Sequence, residues 1–417
     1  MKKQDIVVID SIMGSGKTTW AINHMKQNPD TNFIYITPYI SETNRIIEQA
    51  APERNFRAPH RTSATEGKLD NFVDLITYGH DVVSTHELFK RFDDNTKTEL
   101  LFSSTSYTLI IDETLDVITP VQANKTDIKL CLNKELITID ENGLCKWNYK
   151  EDDNYNGVLH GIEQIVKTNC VICIHEKFFI WRLDPDIFKS NYFDKIIILT
   201  YLFDGSIMKT YFDYYEIEYK KMSIKDSLLV PYYEPDITEI AKLINLYDGS
   251  LNTSFDQTNQ SLSATWYRDK VNEKNINQLR RNMDNYFRHV MKSPQAKILW
   301  STFHAADSSE KHVTTMLDPN RFNKQFLSCN VRGTNEYRHT DCLAYMINVF
   351  INPGVQQFFL KKDLHVNVNL YALQYMLQWI WRSAIRDNKP INIYIPSKRM
   401  RELLIKWMSN KQIPDRA

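Results

Sequence analysis

The sequence has no surplus of charge: 51 Lys and Arg balance 51 Asp and Glu over 417 residues. A molecule so balanced offers nucleic acid or an anionic membrane no global attraction. Cysteine is scarce, at six residues, which excludes a disulfide framework and points to a reducing compartment. No apolar run approaches the roughly 18 residues that a membrane-spanning helix requires. Short-period repeats and low-complexity tails are also missing. What remains is an ordinary globular composition, 42% hydrophobic and 24% charged, in a chain long enough for two or three domains.

The opening, M-K-K-Q-D-I-V-V-I-D-S, carries an aspartate inside its apolar run and a glycine loop directly behind it. It reads as a first strand rather than an export signal. Charge is also unevenly placed. Residues 381–417 hold nine Lys or Arg against three acids, either a solvated helix end or one wall of a basic groove. Cys170 and Cys173 form a C-V-I-C step before His175. One such half-site supplies too few ligands for zinc, so the pair reads as buried thiols.

The first half alternates strands and helices. Residues 33–37, 81–85, 107–112 and 195–200 are short, nearly continuous apolar runs of the kind found in parallel sheets covered on both faces. Ligands of such sheets bind beyond the carboxyl ends of the strands, where these runs turn polar. Residues 121–160 form a polar, mixed insertion with no assigned role. The prolines of D-S-L-L-V-P-Y-Y-E-P-D place a linker at 226–240, between a first domain of residues 1–225 and a second of 241–417. In the second half, helices are expected over 272–290, 335–350 and 370–386, with a closing helix from about 397. Strands are expected at 297–303, 325–330 and 391–396.

The stretch S-I-M-G-S-G-K-T-T-W (11–20) ends in the Gly-Lys-Thr of the phosphate-loop pattern, with Ser11 where the first glycine belongs. Gly14, Ser15 and Gly16 would turn backbone N–H groups towards phosphate, and a helix starting near Thr18 and Thr19 aims its positive end at the same anion. Lys17 would neutralise the β- and γ-phosphates, and the Thr18 hydroxyl would reach Mg²⁺. L-I-I-D-E-T (109–114) ends a strand in adjacent acids. Asp112 suits a Mg²⁺ site built from oxygen, and Glu113 suits a base for attacking water. Thr200, at the end of K-I-I-I-L-T, is either a coupling hydroxyl or a satisfied strand end.

In their order these motifs resemble the superfamily 2 helicases, the DEAD- and DEAH-like group, and in appearance those encoded by bacteriophages and prophages. I-T-P-Y (36–39) resembles that family's first nucleic-acid motif and S-T-H-E-L-F (84–89) its threonine-histidine motif. D-E-T-L (112–115) stands as the Mg²⁺ motif and L-T-Y-L-F (199–203) as the coupling motif. W-S-T-F (300–303), N-V-R-G-T-N-E-Y (330–337) and Q-W-I-W-R-S-A-I-R (378–386) fill the fourth to sixth places.

The resemblance implies an α/β P-loop fold of two tandem RecA-like domains with the nucleotide in the cleft between them. It further implies ATP and Mg²⁺ as cofactors, single-stranded or forked DNA as partner alongside replication or single-strand-binding proteins, and a cytoplasmic, host-cell location. Strand contacts would fall to Thr37, Tyr39, Thr85, His86, Thr302, Phe303, Asn330, Arg332, Thr334 and Asn335. Gln378, Arg382 and Arg386 would complete the catalytic set with Lys17, Asp112 and Glu113. The sixth motif departs from the family in Trp381, where glycine is usual, and in the eight-residue step from Gln378 to Arg386. On a continuous helix those three side chains share one face. The implied activity is an ATP-dependent DNA helicase or translocase of phage-type replication or recombination. The competing readings are a packaging or restriction motor without strand separation, and a non-motor NTP-dependent switch.

Overall fold

The computed structural model describes residues 4–63, 67–103, 105–121, 125–148, 160–167, 170–175, 178–252, 259–303, 317, 325–329 and 336–415. The chain divides into two compact units. One takes residues up to Ser11, Ser15–Tyr232 and Ile351–Val366, and the other takes Ile12–Gly14, Tyr233–Phe350 and Asn367–Ala417.

The first unit is organised on a seven-stranded sheet. Its strands are β1 (Ile6–Asp10), β2 (Asn32–Thr37), β3 (Val82–Thr85), β4 (Tyr107–Asp112), β10 (Lys195–Thr200), β11 (Lys220–Lys225) and β12 (Leu228–Pro231). Their spatial order is β12-β11-β1-β10-β4-β2-β3, parallel throughout except for the antiparallel edge strand β12. The apolar runs are strands because both faces are covered. Ile6–Asp10 is buried at every position, and so is Phe33–Thr37. Full burial of a Val, Ile or Phe contributes about 1.5–3 kcal/mol. The register places Asp10 opposite Thr200, and Leu199 opposite Asp112. The phosphate-loop strand and the carboxylate strand therefore flank β10, with their polar ends at one edge.

Between β4 and β10 lies an insertion of small antiparallel pieces. The strands β5 (Ile118–Pro120), β8 (Val171–Ile174) and β9 (Phe178–Arg182) form one sheet, and β6 (Ile137–Ile139) pairs with β7 (Cys145–Trp147). Their core includes Ile128, Cys131, Ile137, Cys145, Val166, Val171 and Cys173. A helix from the second half of the chain, Pro353–Leu360, packs against β5, β8 and β9. It starts on Pro353 behind an Asn352 cap, whose Oδ1 accepts the Gly354 N–H at 2.8 Å. Phe358 stacks on Tyr214 with ring centroids 4.6 Å apart, and Lys362 donates to the Tyr214 carbonyl.

The second unit holds a parallel four-stranded sheet in the order β13-β16-β15-β14, where β13 is Ile244–Leu246, β14 is Ile298–Ser301, β15 is Cys342–Tyr345 and β16 is Ile391–Tyr394. Helices Glu273–Asn285, Val368–Ile380 and Lys398–Met408 accompany it.

Three sequence expectations change here. The helix expected over 335–350 is replaced by β15, an inner strand buried at all four positions. A short apolar run fits either state, and burial on both faces selects the strand. The segment 325–330 forms no strand among its described residues, only an isolated bridge from Phe326 to Trp300. The helix expected over 370–386 stops at Ile380, with Trp381 as its cap and a 3₁₀ turn at Ala384–Asp387. Gln378, Arg382 and Arg386 therefore do not share a helix face.

Candidate nucleotide and metal site

The loop after β1 opens because two of its residues lie in the left-handed region, Gly14 at φ 82° and Gly16 at φ 85°, which only glycine adopts freely. A β-carbon on Gly16 would meet nothing within 4 Å, so the backbone there faces open space. Helix Lys17–Gln27 starts directly behind, the Trp20 N–H closing its first turn on the Gly16 carbonyl. Ser11 has no such conformational demand and is buried. Its Oγ accepts the Ile224 N–H of β11 at 2.8 Å, and its own N–H donates to the Thr200 carbonyl. The serine in place of glycine thus ties the loop to both neighbours of β1.

Around Asp112 the polar groups converge. Thr18 Oγ1 lies 3.4 Å from Asp112 Oδ2, and the Tyr35 hydroxyl donates to the same oxygen at 3.0 Å. The His86 Nε2–H donates to the Asp112 carbonyl at 2.9 Å, which fixes the ring tautomer. Both hydrogen bonds to the carboxylate come from hydroxyls, while Lys17 and Arg45 act on it only through space. Burial, and secondarily Glu113, push the Asp112 carboxyl up to about 6. Lys17 Nζ donates to the Ser11 carbonyl at 2.5 Å. Glu113 leaves the strand at φ 65°, a conformation that costs a non-glycine residue about 1–3 kcal/mol and tends to occur at functional sites. Its N–H is held by the Leu199 carbonyl at 2.9 Å. Ser15 is half-buried and Thr19 exposed. Thr200 is buried at the end of β10, and no described residue hydrogen-bonds its Oγ1.

The residues assigned to a nucleic-acid strand divide by burial. Thr37, His86 and Thr302 turn their side chains inward, Thr37 onto the Tyr39 carbonyl and Thr302 towards Tyr267. Thr85 Oγ1 caps the short helix His86–Phe89 by accepting from the Leu88 N–H. Tyr39 is exposed and Phe303 half-buried. Asn330, Arg332, Thr334 and Asn335 lie outside the described residues. In the second unit Gln378 and Arg386 are half-buried and Arg382 is 6% exposed. Trp379 is fully buried with its Nε1–H on the Leu327 carbonyl, and Trp381 packs edge-on to Trp407. Among the described residues no group of three or more His, Cys, Asp and Glu is placed to hold a metal ion, and Cys145 and Cys173 hydrogen-bond one another instead. No helix among the described residues is long and apolar enough to cross a membrane.

Sequence reasoning missed Tyr35 and Asp10. Tyr35 read only as one residue of an apolar strand. Asp10 closes β1, accepts the Leu202 and Phe203 N–H groups at 2.8 and 3.0 Å, and pairs with Lys221 at 3.2 Å. It shapes the turn after Thr200, where Leu202 sits at φ 57°.

A family model described as the YonV C-terminal Rossmann-like domain matches residues 238–408, and one described as the YonV middle domain matches residues 118–181. The SPbeta prophage-derived uncharacterized protein YonV of Bacillus subtilis (strain 168) is 36% identical over 425 residues, covering 98% of this chain and 99% of its own. The chain belongs to the YonV family. The family's middle domain coincides with the antiparallel insertion of β5 to β9. Among solved structures, apo XPD aligns with a TM-score of 0.51 at 13% identity, covering 98% of this chain and 96% of that chain. An XPD helicase structure aligns with a TM-score of 0.48 at 12% identity over 98% and 95%. At such identity the likeness is one of fold, that of XPD-type superfamily 2 helicases with two RecA-like domains in tandem. The fold class expected from the motifs stands.

Proposed function

We propose that this protein is an ATP-dependent DNA helicase or translocase that couples hydrolysis of Mg²⁺·ATP to movement on single-stranded DNA and to duplex unwinding, in phage-type replication or recombination. The observation that supports this best is the meeting of Thr18, Asp112 and the Gly14–Lys17 loop at the carboxyl edge of one parallel sheet. Carboxylate and hydroxyl oxygens are the hard donors that Mg²⁺ takes. Bound Mg²⁺ supplies charge neutralisation along the phosphates.

The remaining roles belong to the chain. Lys17 neutralises the β- and γ-phosphates, and the N–H groups of the loop and helix start hold them. Glu113 orients and deprotonates the attacking water, and Thr200 is the coupling hydroxyl at the same edge. Arg382 and Arg386 supply positive charge to the transferring phosphoryl group, an effect expressed mainly in the transition state, and Gln378 contributes a neutral amide to the same catalytic set. Thr85, together with Asn330, Arg332, Thr334 and Asn335, meets the DNA chiefly through its backbone, which carries no sequence information, and Tyr39 and Phe303 offer aromatic faces on which a base can stack.

The deciding experiment measures ATP turnover with single-stranded DNA, duplex DNA and RNA side by side. Poly(dT) is expected to raise turnover several-fold, and equal turnover with and without polynucleotide sinks the motor reading. Release of a labelled strand from a tailed duplex then separates a helicase from a translocase that only displaces a triplex strand.

A further inference from the structure

We infer that Tyr35 is a positioning residue for the metal: its buried hydroxyl fixes the Asp112 carboxylate in the orientation that receives Mg²⁺. The inference rests on the nucleotide-site reading above and goes beyond it by naming a residue that no motif contains.

Tyr35 lies on β2, next to the carboxylate strand β4, in the register Tyr35 to Ile110. Its ring is 0% exposed and packs in an apolar core with Val7, Ile9, Phe33, Val83 and Ile197. For that packing phenylalanine would serve equally well, as Phe33 does two residues earlier on the same face of the strand. The hydroxyl is therefore not explained by the core. A buried phenol needs a hydrogen-bond partner, and this one donates to Asp112 Oδ2 at 3.0 Å.

The geometry gives the hydroxyl a specific task. Oδ2 receives both Tyr35 and Thr18, and among the described residues no group donates to Oδ1. One carboxylate oxygen is thus anchored inside the protein while the other is left for a ligand. His86 secures the main chain of the same residue through its carbonyl. Thr18 is itself a candidate Mg²⁺ ligand, so Tyr35 is the partner of Oδ2 that has no other use at the site. Partners that orient a metal-binding carboxylate typically contribute 10- to 100-fold to metal affinity.

The test measures binding of a fluorescent ATP analogue as a function of Mg²⁺ concentration, with thermal melting alongside. Tyr35→Phe is expected to need about 10- to 100-fold more Mg²⁺ for half of the Mg²⁺-dependent gain in affinity, with unchanged affinity in EDTA. Each variant is measured well below its own melting midpoint, so a loss of stability does not enter. Tyr35→Phe is expected to cause no further change in an Asp112→Asn background. Wild-type Mg²⁺ dependence in Tyr35→Phe, or an equal shift in the Asp112→Asn background, overturns the inference. If the wild-type protein shows no Mg²⁺-dependent binding, or keeps it in Lys17→Ala, the nucleotide-site reading itself fails, and that result is distinct from a failure of Tyr35 alone.

Discussion

Asp10 and Asp112 end two similar strands, I-V-V-I-D and Y-T-L-I-I-D, on either side of β10. Burial raises the pKa of both carboxyls. Their partners differ. Asp10 accepts two backbone N–H groups and pairs with Lys221, which also reaches Asp204. Asp112 has two hydroxyls and, among the described residues, no paired cation. The first is a closed structural joint, whereas the second keeps a carboxylate oxygen that no described residue donates to, as the proposed metal site requires. Two carboxylates with the same sequence signature thus take separate roles through their surroundings. Arg399 in the second unit is the opposite case, a buried cation without a carboxylate. Its guanidinium donates to Asn348 Oδ1, the Val349 and Val368 carbonyls and Asn369 Oδ1. Burial lowers its pKa to about 10. These four acceptors flank the excursion of residues 351–366, so one arginine holds both roots of a segment that packs in the other unit.

The comparison breaks most visibly in catalysis. Lys17→Ala and Asp112→Asn are expected to reduce DNA-stimulated ATP turnover to background, whereas Asp10→Asn retains turnover in whatever fraction remains folded. Equal loss in both aspartate variants, measured on folded protein, would erase the distinction between joint and metal site. The next largest effect is on stability. Arg399→Ala removes the donor from four oxygens, three of them in buried hydrogen bonds, and is expected to cost about 3 kcal/mol or more in denaturant unfolding. A cost below about 1 kcal/mol would mean that the arginine is incidental to the excursion. Asp10→Asn turns an amide N–H towards the Phe203 N–H, and the expected loss is about 1–3 kcal/mol. Asp10→Ser with normal stability would show that the two N–H groups do not need this acceptor.

The first unit was largely legible because its strands are near-continuous apolar runs with polar ends. The expected runs at 33–37, 81–85, 107–112 and 195–200 all appear within a residue of their bounds. The loop glycines were legible from their spacing, and the observed φ values give the reason. The second half was less so. C-L-A-Y-M-I-N-V-F has no period that separates an inner strand from a buried helix, and only the parallel neighbours β14 and β16 settle it as β15. The arginine motif read as continuous helix because nothing local marks the stop at Ile380. The insertion was obscure because its strands run only three to five residues, too short for alternation to register. Tyr35 and Lys221 act through partners 77 and 211 residues away, and Arg399 through partners 30 to 51 residues away, which no local pattern encodes.

The finest test of the comparison is how stability depends on pH. The Asp112 carboxyl has a folded-state pKa of about 6, above its ordinary value of 3.8. Between those values the folded protein binds more protons than the unfolded chain, so Asp112 favours folding at low pH and that contribution is lost as pH rises through about 6. Asp10 shifts in the same direction, but its ion pair with Lys221 opposes the loss, whereas Asp112 is opposed only by the Tyr35 hydrogen bond and by Arg45 and Lys17 acting through space. Asp112→Asn is therefore expected to raise the melting temperature by a few degrees at pH 7.5, corresponding to about 1–3 kcal/mol. It should change little at pH 4.5, where the wild-type carboxyl is already protonated. Mg²⁺ with nucleotide should narrow the gap at pH 7.5 by stabilising the wild-type protein alone. If Asp112→Asn instead melts lower than wild type at pH 7.5 without ligand, the carboxylate is a structural joint like Asp10, and the metal-site role falls to another residue.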